Sequence, residues 1–162
     1  MSTSEFTTAF IGLGANLGER ADTLTRALEL LRGVEHIRAM RVSSFHETQA
    51  VGGPASQPLY LNAAAELQTT LTPRELLNTL LGIERRLGRD RSTPERNLPR
   101  VIDLDLLFYG AEMFDEPGLI VPHPRLRERE FVLGPLSEIA PELEHPALKK
   151  SVARLLCELQ AR

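Results

Sequence analysis

The sequence predicts an α+β fold of the ferredoxin-like type, a split βαβ unit with helices on one face of an antiparallel sheet and ligand loops on the other. Two observations predict it. Segments with strand and helix patterns follow one another in the order strand, helix, strand, strand, helix, strand. Both helical segments carry apolar residues at the spacing of a helix with one buried face. With 162 residues, we expect a single domain over 1–162, flexible at 1–6.

The first half of the chain begins with an apolar, β-branched run, Thr7–Leu13, which predicts a strand. The glycines of Gly12–Gly18 predict a tight turn after it. Their spacing is not the G-x-G-x-x-G of dinucleotide-binding folds, so we prefer a turn whose backbone lines a pocket. A helix is expected over 21–31, ending at Gly33, because apolar residues recur there at helical spacing. A second strand is expected from His36 to about Thr48.

The middle of the chain opens with Gln49–Pro58, which carries two glycines and two prolines and is therefore expected to be a loop. Alternating residues over 59–69 predict the third strand. Thr72–Glu75 has the form of a capping box with proline at the first helical position, and it predicts the start of the second helix, which Gly88 ends. After the fourth strand, we expect an extended segment at 117–124 and helical stretches within 125–139 and 148–159.

The most informative motif is a pair of aspartates, Asp103 and Asp105, inside the apolar run Val101–Tyr109. Carboxylates are depleted from strands, and alternation places these two on one face with Cα atoms roughly 6–7 Å apart. Such a pair makes half of a site for Mg²⁺, which takes one or two protein carboxylates and completes its shell with water and substrate phosphates. The alternative interpretation is a strand with two solvent-facing aspartates.

An arginine-rich segment precedes these aspartates, with six arginines and no lysine from Arg85 to Arg100. Planar guanidinium groups bind phosphate oxygens bidentately, so this segment and the aspartates together indicate phosphoryl chemistry. A solvated charged loop is the alternative. The chain has no G-x-x-x-x-G-K-[ST] motif, so ATP would have to be bound without a P-loop.

Composition excludes several classes of protein. The net charge of −3 argues against a nucleic-acid-binding surface. No apolar stretch approaches the roughly 20 residues that span a bilayer, and the first residues lack the pattern of a signal peptide. The single cysteine, Cys157, cannot form an internal disulfide bond. We therefore expect a cytoplasmic monomer with no membrane or nucleic-acid partner.

Two smaller features suggest ligand contacts. Tyr60 and Asn62 share one strand face, and an aromatic ring beside an amide suits a flat heterocycle with a polar edge. A tyrosine lying on the sheet with an asparagine at its rim is an equal alternative. His123, in the stiff segment Val121–Pro124, is placed to reach a phosphate, whereas the other histidines are expected to be structural or exposed.

Several short motifs occur in a fixed order along the chain. They are Gly14–Gly18, Ser43–Phe45, Tyr60–Asn62, Ile83–Glu84, Gly88–Arg89, Val121–His123 and Arg129–Phe131. Together with the stretch Arg96–Leu107, they resemble the landmarks of the 6-hydroxymethyl-7,8-dihydropterin pyrophosphokinases of folate biosynthesis, over nearly the whole length. The resemblance implies a ferredoxin-like fold, in agreement with the order of elements. It also implies a reaction that moves the β,γ-diphosphate of ATP onto the pterin hydroxymethyl group and leaves AMP.

The same resemblance assigns roles to individual residues. It implies that Asp103 and Asp105 hold two Mg²⁺ ions that bridge the triphosphate of the co-substrate ATP. Arg89 and Arg100 would act in catalysis by clamping the phosphates. The ATP site would be lined by Glu84, Arg91, Arg96, Arg100, Leu106, His123 and Arg129. The pterin would be bound by Thr48, Val51, Tyr60, Asn62 and Phe131, with the two aromatic rings on either side of it.

Two rival functions remain open from the residues alone. A two-metal nucleotidyl transferase or nuclease also sets Asp-x-Asp on a ferredoxin-like sheet, but it would need a basic nucleic-acid track. A ferredoxin-like regulatory module would bind a nucleotide without turning it over. Substitution of the aspartates separates these possibilities, because only the enzymes would lose turnover.

Overall fold

The computed structural model of the chain describes residues 5–49, 59–88 and 102–162. Within these ranges the chain forms a main antiparallel sheet, a separate hairpin, α-helices and one turn of 3-10 helix. The strands are β1 (Thr7–Ala15), β2 (Ile37–Val42), β3 (His46–Thr48), β4 (Tyr60–Thr69), β5 (Asp103–Tyr109), β6 (Phe114–Glu116) and β7 (Leu119–Val121). The helices are α1 (Arg20–Arg32), α2 (Pro73–Arg86), α3 (Glu130–Ile139) and α4 (Val152–Gln160), and the 3-10 turn is Leu126–Glu128.

The main sheet has the strand order β2-β4-β1-β5, and β3 pairs with β4 beyond the end of β2. All of these pairs are antiparallel. Helix α1 connects β1 to β2, and α2 connects β4 to β5. Strands β1 and β4 lie side by side in the middle of the sheet, with β2 and β5 on the outside. This is the split βαβ arrangement, and the predicted α+β, ferredoxin-like class is confirmed.

Helices α1 and α2 cover one face of the sheet. Ile11, Leu13 and Leu67 project from the strands into this core, where they meet fully buried leucines of both helices. The predicted capping box at α2 is present: Glu75 N–H donates to Thr72 Oγ1 at 3.1 Å, and Thr72 N–H donates to Glu75 Oε1 at 3.2 Å. These two bonds satisfy amides that would otherwise lack acceptors, so the helix begins where the sequence predicts.

Helices α3 and α4 cover part of the opposite face, whereas the sequence predicted helices on one face only. Phe10 and Ala64 alternate with residues of the first core and therefore project to this second face. Phe108 joins them because the register of the β1–β5 pair shifts between Phe10 and Ile11, which reverses the alternation along β5. The rings of Phe10 and Phe108 make an edge-to-face contact with centroids 6.3 Å apart, and Leu133 and Leu136 of α3 are fully buried in the same cluster. Such apolar side chains need cover from water, which the two C-terminal helices provide.

The strand predicted over 36–48 is interrupted at Ser43 and continues as β3. Ser43 N–H donates to the carbonyl of Ala64 at 2.9 Å, and Ser43 Oγ accepts from Ala64 N–H at 2.9 Å. The hydroxyl thus takes the place of a strand carbonyl where the chain bends. The bend directs β3 along the end of β4 that carries Tyr60 and Asn62.

The C-terminal half also differs in detail from the expected boundaries. The extended segment predicted at 117–124 includes the second half of a β6–β7 hairpin, whose turn contains Gly118 at φ +76°. The last helix begins at Val152, because Ser151 Oγ accepts a hydrogen bond from Arg154 N–H and caps it. None of the helices in the described ranges is long and apolar enough to cross a membrane.

Candidate functional site

The centre of the candidate site is a stretch of β1 without side chains on the open face of the sheet. Gly14 pairs with Asn62 of β4 on one side and with Asp103 of β5 on the other. Gly12 pairs with Asp105 on the β5 side. Because directly paired residues project to the same face, the amide and both carboxylates stand on one surface with a bare strand between them.

Gly12 and Gly14 lie within β1 and not in the tight turn that the sequence predicted. A Cβ atom on Gly14 would lie 3.0 Å from Asn62 Oδ1 and 3.6 Å from Tyr60 Cδ1. Glycine is therefore required there by the close approach of neighbouring side chains, a known use of glycine inside strands. Only the last glycine of the motif, Gly18, has the positive φ of a turn, at +63°.

The two aspartates occupy the predicted face of β5. Asp103 and Asp105 are half-buried and alternate with Ile102, Leu104 and Leu106, all of which are buried in the core. Among the described residues no further histidine, cysteine or acidic side chain joins them to make a three-ligand cluster. Two carboxylates without a third suit a hard cation that keeps waters and takes substrate phosphates as its other ligands.

Glu84, predicted to line the ATP site, is buried against the strand that carries the aspartates. Its side chain is 1% exposed, and Glu84 Oε2 accepts a hydrogen bond of 2.7 Å from Leu104 N–H. Within the described ranges β5 is the last strand on its side of the sheet, and no described strand pairs with this amide there. Glu84 therefore supports the backbone between Asp103 and Asp105, whereas its contact with ATP stays a prediction.

Replacing Glu84 by alanine is expected to lower the free energy of unfolding by on the order of 2 kcal/mol, because the Leu104 amide would be left buried without an acceptor. Urea unfolding followed by circular dichroism measures this loss. Arg85→Ala, at the exposed neighbouring position, should change stability by less than about 0.5 kcal/mol. Equal stability of Glu84→Ala and the wild type would contradict the supporting role.

The predicted pterin-binding residues Tyr60, Asn62 and Thr48 lie together. In the β3–β4 pair, Thr48 lies opposite Tyr60, and His46 lies opposite Asn62. Asn62 is 5% exposed, and its Nδ2 donates a hydrogen bond to Thr48 Oγ1. This bond orients the Asn62 amide through the Thr48 hydroxyl, whereas contacts of these residues with the pterin stay a prediction.

Phe131, the second predicted aromatic partner of the pterin, lies in the first turn of α3. Its ring is half-buried beside the second core, and the guanidinium group of Arg129 lies 5.5 Å from the ring centroid. Helix α3 packs on β4, which carries Tyr60. The two aromatic residues therefore come from elements that are in contact.

His123 joins this group from the segment after β7. The backbone N–H of His123 donates to the carbonyl of Leu107 at 3.2 Å, and the ring Nδ1 accepts from the backbone N–H of Arg125 at 3.3 Å. The pKa of His123 is lowered to about 4, mainly by burial and then by the positive charge of Arg129, whereas the negative charge of Asp103 opposes the shift. His123 is therefore neutral at neutral pH, and its ring is within electrostatic reach of both predicted site residues.

Titration of His123 by NMR in the metal-free protein should give a pKa of about 4. Arg129→Gln should raise this pKa and Asp103→Asn should lower it, because they remove charges of opposite sign. The unfolded chain, with a histidine pKa of about 6.5, binds the proton more readily. The contribution of His123 to stability is thus complete above pH 6.5 and is lost as the pH falls towards 4. An ordinary pKa that neither substitution changes would contradict this arrangement.

The remaining predicted residues divide into two groups. Leu106 is 5% exposed and lies in the core under α1 and α2, so a contact with ATP would have to come from its backbone. The others lie outside the described residues: Val51, Arg89, Arg91, Arg96 and Arg100. Sequence reasoning expected the backbone of Gly12–Gly18 to line a pocket from a tight turn. It missed that Gly12 and Gly14 lie within β1, between Asn62 and the aspartates, although glycines within an apolar, β-branched run were the available signal.

The fold and the site define a class of protein. A ferredoxin-like sheet that carries two carboxylates on one strand and an amide with an aromatic ring on another has the groups of a transferase that moves phosphate between small molecules. Comparison with known proteins identifies the family within this class. The family model for 7,8-dihydro-6-hydroxymethylpterin-pyrophosphokinase (HPPK) matches residues 10–141. The chain belongs to this family.

Relatives with curated names agree. The 2-amino-4-hydroxy-6-hydroxymethyldihydropteridine pyrophosphokinase of a Synechocystis strain is 43% identical over 148 residues, which are 91% of this chain and 74% of the relative. The protein of the same name from Bacillus subtilis is 44% identical, over 86% of this chain and 81% of the relative. Wild-type Plasmodium falciparum HPPK-DHPS, a solved structure, matches all of the chain with a TM-score of 0.74 at 13% identity, and this chain spans 46% of it. That likeness supports the fold alone.

Proposed function

We propose that the chain catalyses the reaction of this family, on the sheet face that carries Asn62, Asp103 and Asp105. The chain transfers the β,γ-diphosphate of ATP to the hydroxymethyl group of 6-hydroxymethyl-7,8-dihydropterin, giving AMP and the pterin diphosphate, a step of folate biosynthesis. The observation that carries the proposal is the register on either side of Gly14, which pairs with both Asn62 and Asp103. Two strand spacings separate these side chains, roughly 10 Å, which is the span of a bound pterin and the phosphate that it attacks.

The pterin site consists of an amide between aromatic side chains. Tyr60 and Phe131 would stack on the two faces of the flat ring, and Asn62 would bind its polar edge. Support comes from the buried position of Asn62 and its bond to Thr48, which leaves the amide in one orientation. A fixed amide favours a ligand with complementary donors and acceptors, because a mismatched ring would leave buried polar groups without partners.

The phosphate site consists of the two aspartates with His123 and Arg129. Asp103 and Asp105 would hold Mg²⁺, which suits their half-buried positions on one face and would neutralise charge on the triphosphate. His123 is neutral at neutral pH and its Nδ1 accepts from Arg125 N–H, so its Nε2–H is left to donate a hydrogen bond to a phosphate oxygen. Arg129 supplies positive charge beside it. Arg89 and Arg100, with Arg91 and Arg96, would complete the clamp, as the family resemblance implies.

The reaction needs few groups that change their protonation state. The hydroxymethyl oxygen forms a bond to the β-phosphorus as the bond from that phosphorus to the α-phosphate oxygen breaks, and the hydroxyl proton is released to solvent. In a loose transition state the nucleophile needs little activation, so positioning and charge neutralisation supply most of the rate. The rigid strand that carries Asp103 and Asp105, supported by Glu84, suits this requirement.

The product of the reaction tests the proposal. Purified protein is incubated with ATP, Mg²⁺ and 6-hydroxymethyl-7,8-dihydropterin, and nucleotides are separated by chromatography. AMP that forms only when the pterin is present, in equal amount to the pterin diphosphate, is the expected result. Formation of ADP or pyrophosphate, or tight ATP binding without turnover, would contradict the proposal and favour the nucleotide-binding module.

A further inference from the structure

A carboxylate outside the predicted site connects two elements that carry pterin-binding residues. Glu138, near the end of α3, accepts hydrogen bonds from Ser44, in the bend between β2 and β3, and from His46, the first residue of β3. Ser44 N–H donates to Glu138 Oε2 and Ser44 Oγ donates to Oε1, each at 2.6 Å, and His46 Nε2 lies 2.9 Å from Oε1. The hydroxyl of Ser44 and then the ring of His46 hold the pKa of Glu138 at about 2, so it is a carboxylate at neutral pH.

The strand that Glu138 contacts also carries residues of the predicted pterin site. His46 lies opposite Asn62 in the β3–β4 pair, and Thr48, two residues along β3, holds the Asn62 amide. On α3, Phe131, Gly134 and Glu138 recur at helical spacing and so share one face. That face meets β3: a Cβ atom on Gly134 would lie 3.8 Å from His46 Nδ1. One helix face therefore carries both the attachment to β3 and, roughly 10 Å further along, the ring of Phe131.

The remaining contacts between α3 and the sheet are mainly apolar. Leu133 and Leu136 pack on the second face of the sheet, and such contacts are not directional. Hydrogen bonds to a charged acceptor are directional. They therefore fix the position of α3 along its axis relative to the strands. Arg41, which donates to the carbonyl of Ile139, attaches the same end of the helix to β2. Because Glu138 is 41% exposed, we expect its bonds to add little to overall stability.

We propose that Glu138 is a positioning residue of the pterin site, and that its bonds to Ser44 and His46 set the spacing between Phe131 on α3 and the Thr48–Asn62 pair on the sheet. The inference rests on the proposed function, because it concerns binding of the pterin. It adds a residue to which the family resemblance assigned no role. A helix displaced by one ångström would misalign the two aromatic rings without disturbing the aspartates, which lie on the other side of β1.

Binding of the two substrates separates positioning from general stability. In Glu138→Ala, the dissociation constant and KM for 6-hydroxymethyl-7,8-dihydropterin should rise roughly five- to thirty-fold, whereas those for ATP with Mg²⁺ stay within about twofold. Glu138→Gln keeps one acceptor oxygen and should give an intermediate value. Glu158→Ala is the matched control, because Glu158 is also a hydrogen-bonded surface carboxylate, held by Lys150 at 2.7 and 3.0 Å on α4, away from β3. It should leave both constants unchanged.

A double-substitution cycle provides the decisive comparison. If Glu138 acts through Ser44, then Ser44→Ala combined with Glu138→Ala should raise the pterin KM no more than Glu138→Ala alone. Unchanged pterin binding in a folded Glu138→Ala protein, or equal weakening of pterin and ATP binding, would overturn the inference. If the wild-type protein forms no pterin-dependent AMP, the proposed function itself fails, and this result is distinct because it appears before any substitution is made.

Discussion

Asp103→Asn and Asp105→Asn are each expected to reduce diphosphate transfer by roughly a thousandfold or more while the fold is retained. Asparagine keeps the size of aspartate but removes the charge that a cation bound to the triphosphate requires. Both side chains lie on the face of β5 opposite its core residues, which the substitutions leave unchanged. The fold should therefore be retained. Rates of AMP formation at saturating ATP and pterin measure the effect.

The control for the aspartates is Asp115→Asn on β6, an exposed carboxylate in the separate hairpin. It should keep wild-type activity and wild-type dependence on Mg²⁺. For the two site variants, a raised Mg²⁺ concentration should recover part of the rate, because the loss lies in binding of the cation. Retention of near wild-type turnover by either site variant would remove that aspartate from the metal site.

Gly14→Val is the second substitution with a large expected effect. Even the Cβ atom of alanine would lie 3.0 Å from Asn62 Oδ1, and the added methyl groups of valine must also displace Tyr60. Overpacking of this kind costs about 1–3 kcal/mol. If that cost arises from displacing Asn62 from its pterin-binding position, the pterin affinity should fall between roughly fivefold and 150-fold. Equilibrium titration of the pterin measures it, with Gly14→Ala expected to be the milder variant.

Gly33→Ala is the matched control for Gly14. Gly33 follows α1 with φ −82°, and an added Cβ would be in ordinary contact, 3.5 Å from the carbonyl of Leu30. Its pterin affinity should equal that of the wild type. Normal pterin binding by folded Gly14→Val would show that Asn62 and Tyr60 can move without loss of affinity. That result would contradict the proposal that pterin binding needs the Asn62 amide in one fixed orientation.

Features that depend on neighbouring residues in the chain were predictable from sequence. The start of α2 follows from Thr72 and Glu75, because a capping box is formed by residues three apart. The shared face of Asp103 and Asp105 follows from the two-residue repeat of a strand, and the structure bears it out. The order of elements was sufficient for the fold class, since few topologies connect such a series with short crossovers.

Features that depend on distant residues were not predictable in this way. The bend at Ser43 is formed by bonds to Ala64, 21 residues away, so the local pattern alone suggested one continuous strand. The position of α3 over the second face depends on Phe10 and Phe108, which no local pattern connects to it. Glu138 has no motif of its own, because its partners Ser44 and His46 lie more than 90 residues earlier.

By itself, the sequence determined the class of fold, the aspartate pair and the family landmarks, because each depends on a short-range periodicity or on a motif of adjacent residues. Only the tertiary structure decided that Gly12 and Gly14 form the floor between amide and carboxylates, that Glu84 supports the strand between the aspartates, and that Glu138 attaches α3 to β3. The physical reason is that hydrogen bonds and steric contacts act across space. Their partners are chosen by the register and packing of strands and helices, which a linear pattern does not contain.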